Sequence, residues 1–181
     1  GAAGVMIEDQ KWPKKCGHTK GKDVVDLDEA NSRIKAAVDA REYGNKDILI
    51  MARTDAIATR GLDDAIKRMQ SFSKLGVDIL FIEAVKNKED MKRIIKEVPG
   101  HHMLNLIEDG ETPLLEINEI EEIGYKIAVM PLTLMSASVK TMQECLNNMK
   151  NKVYNKNVSK FSDLRDIVGF NEYYDIEDKY K

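Results

Sequence analysis

The sequence lacks the basic excess, the long apolar runs and the clustered cysteines that mark several classes of protein. Its 28 Lys and Arg residues against 31 Asp and Glu give a net charge of −3, which argues against a nucleic-acid partner because nucleic-acid-binding domains normally carry a basic face. No apolar run approaches the roughly 20 residues of a transmembrane helix, so we expect no membrane partner. No basic segment precedes the first apolar residues, as it would in a secretory signal peptide. Cys16 and Cys145 lie far apart in the chain, which favours a reduced, cytoplasmic protein.

The segment Gly4–His18 joins an apolar run to a group of reactive side chains. Val5-Met6-Ile7 is followed directly by two acids, Glu8 and Asp9, a pattern typical of a buried parallel strand whose carboxyl end opens into a polar site. The loop that follows sets the thiol of Cys16 among cations that favour its thiolate form; these are Lys14, Lys15 and His18. A surface loop with an incidental cysteine is the alternative. The concentration of acids, thiol and histidine in one short segment favours a catalytic arrangement.

The whole chain has 181 residues, the size of one domain, and it repeats a strand–loop–helix unit. Five strands are predicted, each with a polar residue at or near its end: Val5–Asp9, Ile48–Arg53, Ile79–Glu83, His102–Ile107 and Lys126–Met130. Such units in series predict an α/β fold with a parallel sheet wrapped by helices. Polar strand ends are typical of the active-site face of a (β/α)8 barrel. A doubly wound open sheet is the alternative, but no glycine-rich phosphate loop follows the first strand.

Helices are predicted between these strands and at the C-terminus. They are Asp26 or Asp28 to about Tyr43, Leu62–Leu75, Asn87–Val98, Glu116–Ile123, about Leu134–Met149, and a terminal helical segment, Phe161–Lys179. The predicted organisation is part of a barrel over residues 1–150 and a C-terminal helical segment over residues 151–181. His101 and His102 lie at the start of a predicted strand, away from the polar ends, and we expect both to be surface residues.

Two motifs carry a resemblance to a known family. Ile7-Glu8-Asp9-Gln10 and Pro13-Lys14-Lys15-Cys16-Gly17-His18 resemble the signature of the isocitrate lyase and phosphoenolpyruvate mutase superfamily, in which the cysteine marks the carbon–carbon lyases. The segment Asn105–Gly110 with Thr112-Pro113-Leu114, together with Pro131, resembles the branch of 2-methylisocitrate lyases and 2-alkylmalate lyases.

The resemblance implies a (β/α)8 TIM-type barrel, of which this chain holds the C-terminal five strand–helix units plus the C-terminal helices. The family's first three strands, which carry an Asp-Ala-Asp metal motif, are not matched, so we expect a fragment or the ordered part of a longer chain. Family members exchange C-terminal helices between subunits, which implies a homodimer or homotetramer. Packing of Tyr173 and Tyr174 within the chain is the alternative.

The resemblance also assigns roles to individual residues. Glu8 stands where the family holds Mg²⁺, which prefers hard oxygen ligands; an ion pair at the barrel mouth is the alternative. Arg53 and Asn105 match groups that bind a carboxylate substrate, with a salt bridge as the alternative for Arg53. The role of Asp9 stays open between support of the metal site and packing. The expected catalytic residues are Cys16, His18 and Glu83, and the expected substrate-binding residues of the loop are Lys14, Lys15 and Gly17.

The implied function is a Mg²⁺-dependent lyase that cleaves a carbon–carbon bond in a 2-hydroxy di- or tricarboxylate similar to 2-methylisocitrate. The products are a 2-oxo acid and a carboxylic acid, and Cys16 delivers the proton that quenches the carbanion. A phosphorus–carbon mutase on the same fold is one alternative, against which Cys16 argues. A catalytically inactive fragment or binding subunit is the other, supported only by the unmatched metal motif.

Overall fold

The computed structural model of this protein describes residues 1–17 and 21–181 and contains a five-stranded parallel sheet. Its strands are β1 (Gly4–Glu8), β2 (Leu49–Thr54), β3 (Ile79–Ile82), β4 (His101–Asn105) and β5 (Ile127–Val129). They lie side by side in chain order, and every neighbouring pair is parallel. The predicted α/β class and the five parallel strands are confirmed, with strand bounds that differ from the prediction by one or two residues.

The two faces of the sheet have different environments, because alternate side chains of a strand point to opposite faces. Ala52 of β2 and Leu80 of β3 belong to the buried core on the face covered by helices. The other face lines an open apolar cavity of about 420 Å³, with side chains that include Met6, Met51, Ile79 and Met103. At the carboxyl end of this second face the register aligns Glu8 with Arg53, and Arg53 with Phe81. Polar side chains from neighbouring strands therefore converge at one end of the sheet.

Helices follow the strands, and several of them begin at side-chain caps. Their bounds are α1 (Leu27–Tyr43), α2 (Ile57–Arg60), α3 (Leu62–Lys74), α4 (Lys88–Glu97), α5 (Ile117–Ile123), α6 (Thr133–Lys150), α7 (Phe161–Ile167) and α8 (Phe170–Asp178). Asp26 accepts a hydrogen bond from the amide of Glu29 at 2.8 Å, and Asn87 accepts one from the amide of Asp90 at 2.8 Å. These caps satisfy amides that have no partner within the helix, which explains why α1 and α4 begin where the sequence predicts.

Two helical features differ from the prediction. The one-turn helix α2 precedes Gly61, in a stretch for which the sequence predicts no helix. The terminal segment forms two helices, α7 and α8, instead of one continuous run. They are separated at Gly169, whose φ of 82° lies in the left-handed region that glycine adopts without steric cost.

The described chain divides into two compact units, Gly1–Thr133 and Leu134–Lys181. The first contains the sheet with α1 to α5, and the second contains nearly all of α6 together with α7 and α8. The boundary predicted at residue 150 stays a prediction. In the described part of the chain, no helix combines the length and the apolar character needed to cross a membrane.

His102 does not occupy the surface position expected from the sequence, because its side chain lies in the core. The residue is 2% exposed, whereas the adjacent His101 is exposed. The Nε2 atom of His102 donates a hydrogen bond to the carbonyl oxygen of Val98 at 2.9 Å, and the ring meets Tyr125 edge-on with 6.2 Å between centroids. Burial lowers the pKa of His102 below its ordinary value, because the charged imidazolium is disfavoured away from water.

This lowered pKa makes the stability of the fold depend on pH. Below the ordinary histidine pKa of about 6.5 the unfolded chain binds the His102 proton more readily than the folded chain does. We therefore expect the free energy of unfolding to fall as the pH drops from about 7.5 to about 5, by about 1.4 kcal/mol for each unit of pKa difference. Urea unfolding at a series of pH values measures this loss.

The matched variants are His102→Gln, which keeps a donor for the Val98 carbonyl but does not titrate, and His101→Gln at the exposed neighbour. His102→Gln should lose less stability on acidification than the wild type, while His101→Gln should keep most of the wild-type dependence. An unchanged pH dependence in His102→Gln would contradict the assignment.

Candidate active site

Four polar side chains meet at the carboxyl ends of four neighbouring strands, and we call them the strand-end cluster: Glu8, Arg53, Glu83 and Asn105. The Nη2 atom of Arg53 lies 3.0 Å from Oε2 of Glu83, and its Nε lies 3.3 Å from Oε2 of Glu8. The side-chain amide of Asn105 donates to Oε1 of Glu83 at 3.4 Å. The parallel register thus brings together four residues, of which the first and the last lie 97 positions apart in the sequence (8 to 105).

Arg53 is the positively charged centre of this cluster. Asp55 binds its guanidinium with both carboxylate oxygens, at 2.8 Å to Nε and 3.0 Å to Nη2, and the guanidinium carbon lies 5.3 Å from the centre of the Phe81 ring. Burial opposes the charge, but the hydrogen-bonded Asp55 and the nearby Glu83 and Glu8 outweigh it and raise the pKa of Arg53 above its ordinary value. The salt bridge that the sequence left as an alternative is therefore present, and Arg53 stays charged at any physiological pH.

Glu83 and Asn105 form the buried side of the cluster. Glu83 is 2% exposed, and its Oε1 atom accepts a hydrogen bond from the amide of Ala84 at 3.0 Å. The Oδ1 atom of Asn105 is buried, and within the described residues it finds no hydrogen-bond partner. A buried acceptor without a donor costs free energy. This oxygen therefore suits a ligand that donates a hydrogen bond, such as a hydroxyl group, whereas a carboxylate would need the amide nitrogen.

The thiol loop, which we define as residues 11–17, reaches the same cluster. The Nζ atom of Lys14 lies 2.9 Å from Oε1 of Glu8. Gly17 packs on Glu83 so closely that a Cβ at position 17 would lie 2.3 Å from Cγ of Glu83. The side chain of Cys16, which lies between Lys14 and Gly17 in the sequence, is exposed. The predicted residue His18 lies outside the described residues.

Two residues that sequence reasoning did not assign to the site, Gln10 and Lys22, also contact the loop. Gln10 is buried and hydrogen-bonds the main chain of Lys15, and Lys22 lies near Gly17 and Asp55. Gln10 lies in the motif that carries the family resemblance, and Lys22 lies in a polar stretch, but neither pattern specifies a main-chain partner that the loop conformation brings close.

Asp9 lies behind the cluster in a buried polar network. Its Oδ2 atom accepts hydrogen bonds from the hydroxyl of Thr54 at 2.5 Å and from Nη1 of Arg68 at 3.1 Å, and its Oδ1 accepts one from the amide of Asp55 at 3.1 Å. Burial raises the pKa of Asp9, while these hydrogen bonds and the charge of Arg68 act in the opposite direction. Asp9 therefore holds the end of β2 in place behind Arg53.

Arg68 is a member of this network that sequence reasoning missed. It is fully buried, and its Nε atom also binds Asp64, four residues earlier on α3, at 2.6 Å. Its position three residues after Ala65 and four before Phe72 places it within the apolar stripe of α3. A charged residue within such a stripe, with an acid one turn before it, is the signal that could have indicated a buried ion pair.

The described residues do not form a complete metal site. No group of three or more His, Cys, Asp or Glu side chains among residues 1–17 and 21–181 is arranged to hold a metal ion. The two oxygens of Glu8 contact Lys14 and Arg53. Glu8 has the hard carboxylate oxygens that Mg²⁺ prefers, but a lone carboxylate does not bind Mg²⁺ at a defined site.

Comparison with known proteins identifies the chain's relatives. The family model described as phosphoenolpyruvate phosphomutase matches residues 1–150. The chain is 39% identical over 184 residues to the 2,3-dimethylmalate lyase of Eubacterium barkeri, covering 99% of this chain and 63% of that protein. It is 36% identical over 177 residues to the 2-methylisocitrate lyase of Aeropyrum pernix, covering 96% of this chain and 56% of that protein.

The fold is similar to that of a solved structure from the same group. A 2,3-dimethylmalate lyase, described as a member of the PEP mutase/isocitrate lyase superfamily, matches with a TM-score of 0.86 at 30% identity, over 98% of this chain and 60% of that chain. The chain thus spans about three fifths of the length of the relatives that it matches.

The buried pair of Asp9 and Arg68 generates a prediction about stability. The side chains of both residues are 1% exposed, so removing one partner leaves the other charge buried without compensation. Arg68→Met should lower the free energy of unfolding by about 3–5 kcal/mol, measured by urea unfolding. The control is Arg93→Met on α4, whose side chain is 43% exposed in its ion pair with Glu97 and whose loss should change little. Equal effects of the two substitutions would contradict the role given to Arg68.

Proposed function

This chain belongs to the phosphoenolpyruvate mutase and isocitrate lyase superfamily, and we propose that the complete protein is a carbon–carbon lyase acting on a small carboxylate. The substrate is a 2-hydroxy di- or tricarboxylate similar to 2-methylisocitrate or 2,3-dimethylmalate, and the products are a 2-oxo acid and a carboxylic acid. The observation that carries the proposal is the close packing of Gly17 on Glu83, because it brings the loop that bears Cys16 to the strand-end cluster.

The residues of the cluster have chemistry suited to this reaction. The proposed role of Arg53 is to bind a substrate carboxylate and to stabilise the negative charge that develops as the bond breaks. Glu83 takes the proton of the substrate hydroxyl, and the buried oxygen of Asn105, which has no partner among residues 1–17 and 21–181, accepts a hydrogen bond from the substrate. Lys14, Lys15 and Gly17 complete the substrate site from the loop side.

The proposed reaction is a retro-aldol cleavage. The substrate hydroxyl loses its proton, its oxygen forms the carbonyl of the 2-oxo acid, and the electron pair of the carbon–carbon bond remains on the second fragment as a carbanion. Cys16 donates the proton of its thiol to that carbanion, which gives the carboxylic acid product. His18, on the same loop, is proposed to assist Cys16.

The proposed cofactor is Mg²⁺, with Glu8 as one of its ligands. When bound, the ion would neutralise charge on the substrate oxygens. The described residues offer no cluster of three or more ligands, so the other ligands would have to come from elsewhere in the complete protein.

The proposed assembly is a homodimer or homotetramer, in which residues 151–181 pack on a neighbouring subunit. The support is the exposure of large apolar side chains in this segment, among them Phe161 at 76%, Ile167 at 76% and Tyr173 at 61%. Exposed apolar surface of this kind is typical of interfaces between subunits.

A phosphorus–carbon mutase is the second candidate, because the matching family model is described as phosphoenolpyruvate phosphomutase. The two candidates differ in their substrates. The test is to incubate the complete protein with 2-methylisocitrate, 2,3-dimethylmalate, isocitrate and phosphonopyruvate, and to measure the formation of 2-oxo acid or of phosphoenolpyruvate. Turnover of phosphonopyruvate alone would overturn the proposed lyase.

The role of Cys16 generates a prediction about turnover. Cys16→Ser keeps the size of the side chain, but a hydroxyl holds its proton far more tightly than a thiol does. We expect cleavage of the preferred substrate to fall by roughly 10²-fold or more, while substrate binding survives because Arg53 and Asn105 are unchanged. The matched control is Cys145→Ser on α6, which should keep full activity. Turnover by Cys16→Ser within a few-fold of the wild type would contradict the proposed proton donor.

The proposed metal role of Glu8 generates a separate prediction. Glu8→Ala removes a carboxylate ligand, so the complete protein should need a higher Mg²⁺ concentration both for binding the ion and for activity. Calorimetric titration with Mg²⁺ measures the first effect and an activity assay measures the second. Glu42→Ala on α1, an exposed acid, is the control. Full activity of the wild type in the presence of a strong chelator would rule out the role of Glu8.

A further inference from the structure

We propose that Gln10 and Lys22 are positioning residues that hold the main chain on either side of Cys16. The inference rests on the proposed function in so far as Cys16 is the proton donor, but the contacts themselves do not depend on that function. Gln10 holds the residue before Cys16, and Lys22 holds the residue after it. Together they keep the thiol loop seated on the strand-end cluster.

Gln10 hydrogen-bonds the main chain of Lys15 through both functional groups of its side-chain amide. Its Oε1 atom accepts a hydrogen bond from the amide of Lys15 at 2.9 Å, and its Nε2 atom donates one to the carbonyl oxygen of Lys15 at 2.9 Å. Gln10 is 2% exposed, and its own carbonyl oxygen accepts from Nη1 of Arg33 at 2.9 Å. Only a side chain with a donor and an acceptor side by side can pair with a main-chain amide in this way. The loop is therefore anchored to the end of β1 one residue before the thiol.

Lys22 makes the matching contact on the other side. Its Nζ atom donates a hydrogen bond to the carbonyl oxygen of Gly17 and lies 3.8 Å from Oδ1 of Asp55. The side chain of Lys22 is only 5% exposed. Burial of a lysine is unfavourable unless its charge is compensated, and here Asp55, which also binds Arg53, supplies the compensation. Lys22 thus connects the loop to Asp55, the carboxylate that also binds the guanidinium of Arg53.

Gly17 marks the close approach of the loop to the strand-end cluster. A Cβ at this position would lie 2.3 Å from Cγ and 2.6 Å from Cδ of Glu83, so the loop touches the catalytic glutamate without any intervening gap. Such an approach lasts only if the neighbouring main chain is held. The anchors at Lys15 and Gly17 flank Cys16 directly, so they restrict where its thiol can lie relative to Glu83 and Arg53.

The first test measures the anchoring itself by limited trypsin digestion. Mass spectrometry follows cleavage after Lys14 and Lys15, which requires the thiol loop to detach from the strand-end cluster. Gln10→Leu removes both hydrogen bonds to Lys15 and Lys22→Met removes the charge, so each should speed cleavage by about tenfold or more. Gln70→Leu on α3 and Lys35→Met on α1, at exposed contacts elsewhere, should leave the cleavage rate unchanged. Wild-type cleavage rates in Gln10→Leu and Lys22→Met would overturn the proposal.

The second test measures the effect on the reaction in the complete protein. If the anchors position Cys16, Gln10→Leu and Lys22→Met should lower kcat by about 10- to 100-fold with little change in KM. Lys22→Arg, which keeps the charge, should restore part of the rate. A loss of activity that only follows the fraction of unfolded protein, measured by urea unfolding, would assign both residues a structural role and overturn the proposal.

The two proposals can fail separately. If Cys16→Ser stays active while Gln10→Leu and Lys22→Met still release the loop to trypsin, the proton-donor role fails and the anchoring stands. If Cys16→Ser is slow but Gln10→Leu and Lys22→Met are digested by trypsin and turn over substrate at wild-type rates, the proposed function stands and the anchoring fails.

Discussion

The strand-end cluster depends on one guanidinium that compensates three carboxylates. Glu8, Asp55 and Glu83 come from three successive strand ends, and each lies within 3.3 Å of a nitrogen of Arg53. Without that charge the acids would repel one another in a site that is largely closed to water. The parallel register sets this geometry, because it aligns Glu8 of β1 with Arg53 of β2. Among the described residues, Arg53 is therefore the one cation that contacts all three of these carboxylates.

The adjacent acids Glu8 and Asp9 serve different faces of the same strand end. Neighbouring side chains of an extended chain point in opposite directions. Glu8 therefore lies in the strand-end cluster, and Asp9 lies on the face covered by helices, where it pairs with Arg68. Asp9 binds both the hydroxyl of Thr54 and the amide of Asp55, so it fixes the backbone from which Arg53 and Asp55 project. Helix α3 thereby supports the strand-end cluster through the buried ion pair of Arg68 with Asp9, although none of its side chains belongs to the cluster.

Local patterns in the sequence predicted the strands and most of the helices, but not the buried polar contacts. The strands follow from short apolar runs, and the start of α1 follows from Asp26, because strand burial and helix capping depend on residues close in sequence. The burial of His102 and of Arg68 was not predicted. Arg68 finds Asp9 at a separation of 59 residues, and no periodicity specifies which distant group will compensate a charge. The same reason explains Lys22, whose partner is a main-chain carbonyl in a loop.

The contacts of Arg53 also indicate how a substrate carboxylate could enter. All three acidic partners are already bound, so a fourth carboxylate must take the place of one of them or compete for the same nitrogens. Asp55 is fully buried, and its two carboxylate oxygens lie 2.8 and 3.0 Å from two nitrogens of Arg53. Glu83 is also buried, and its Oε2 lies 3.0 Å from Nη2 of Arg53. Glu8 is the most exposed of the three, has the longest contact at 3.3 Å, and has a second cation in Lys14 at 2.9 Å. Because a weaker, more solvated ion pair costs less to break, the contact with Glu8 is the one that a carboxylate proposed to bind Arg53 would replace at the lowest cost.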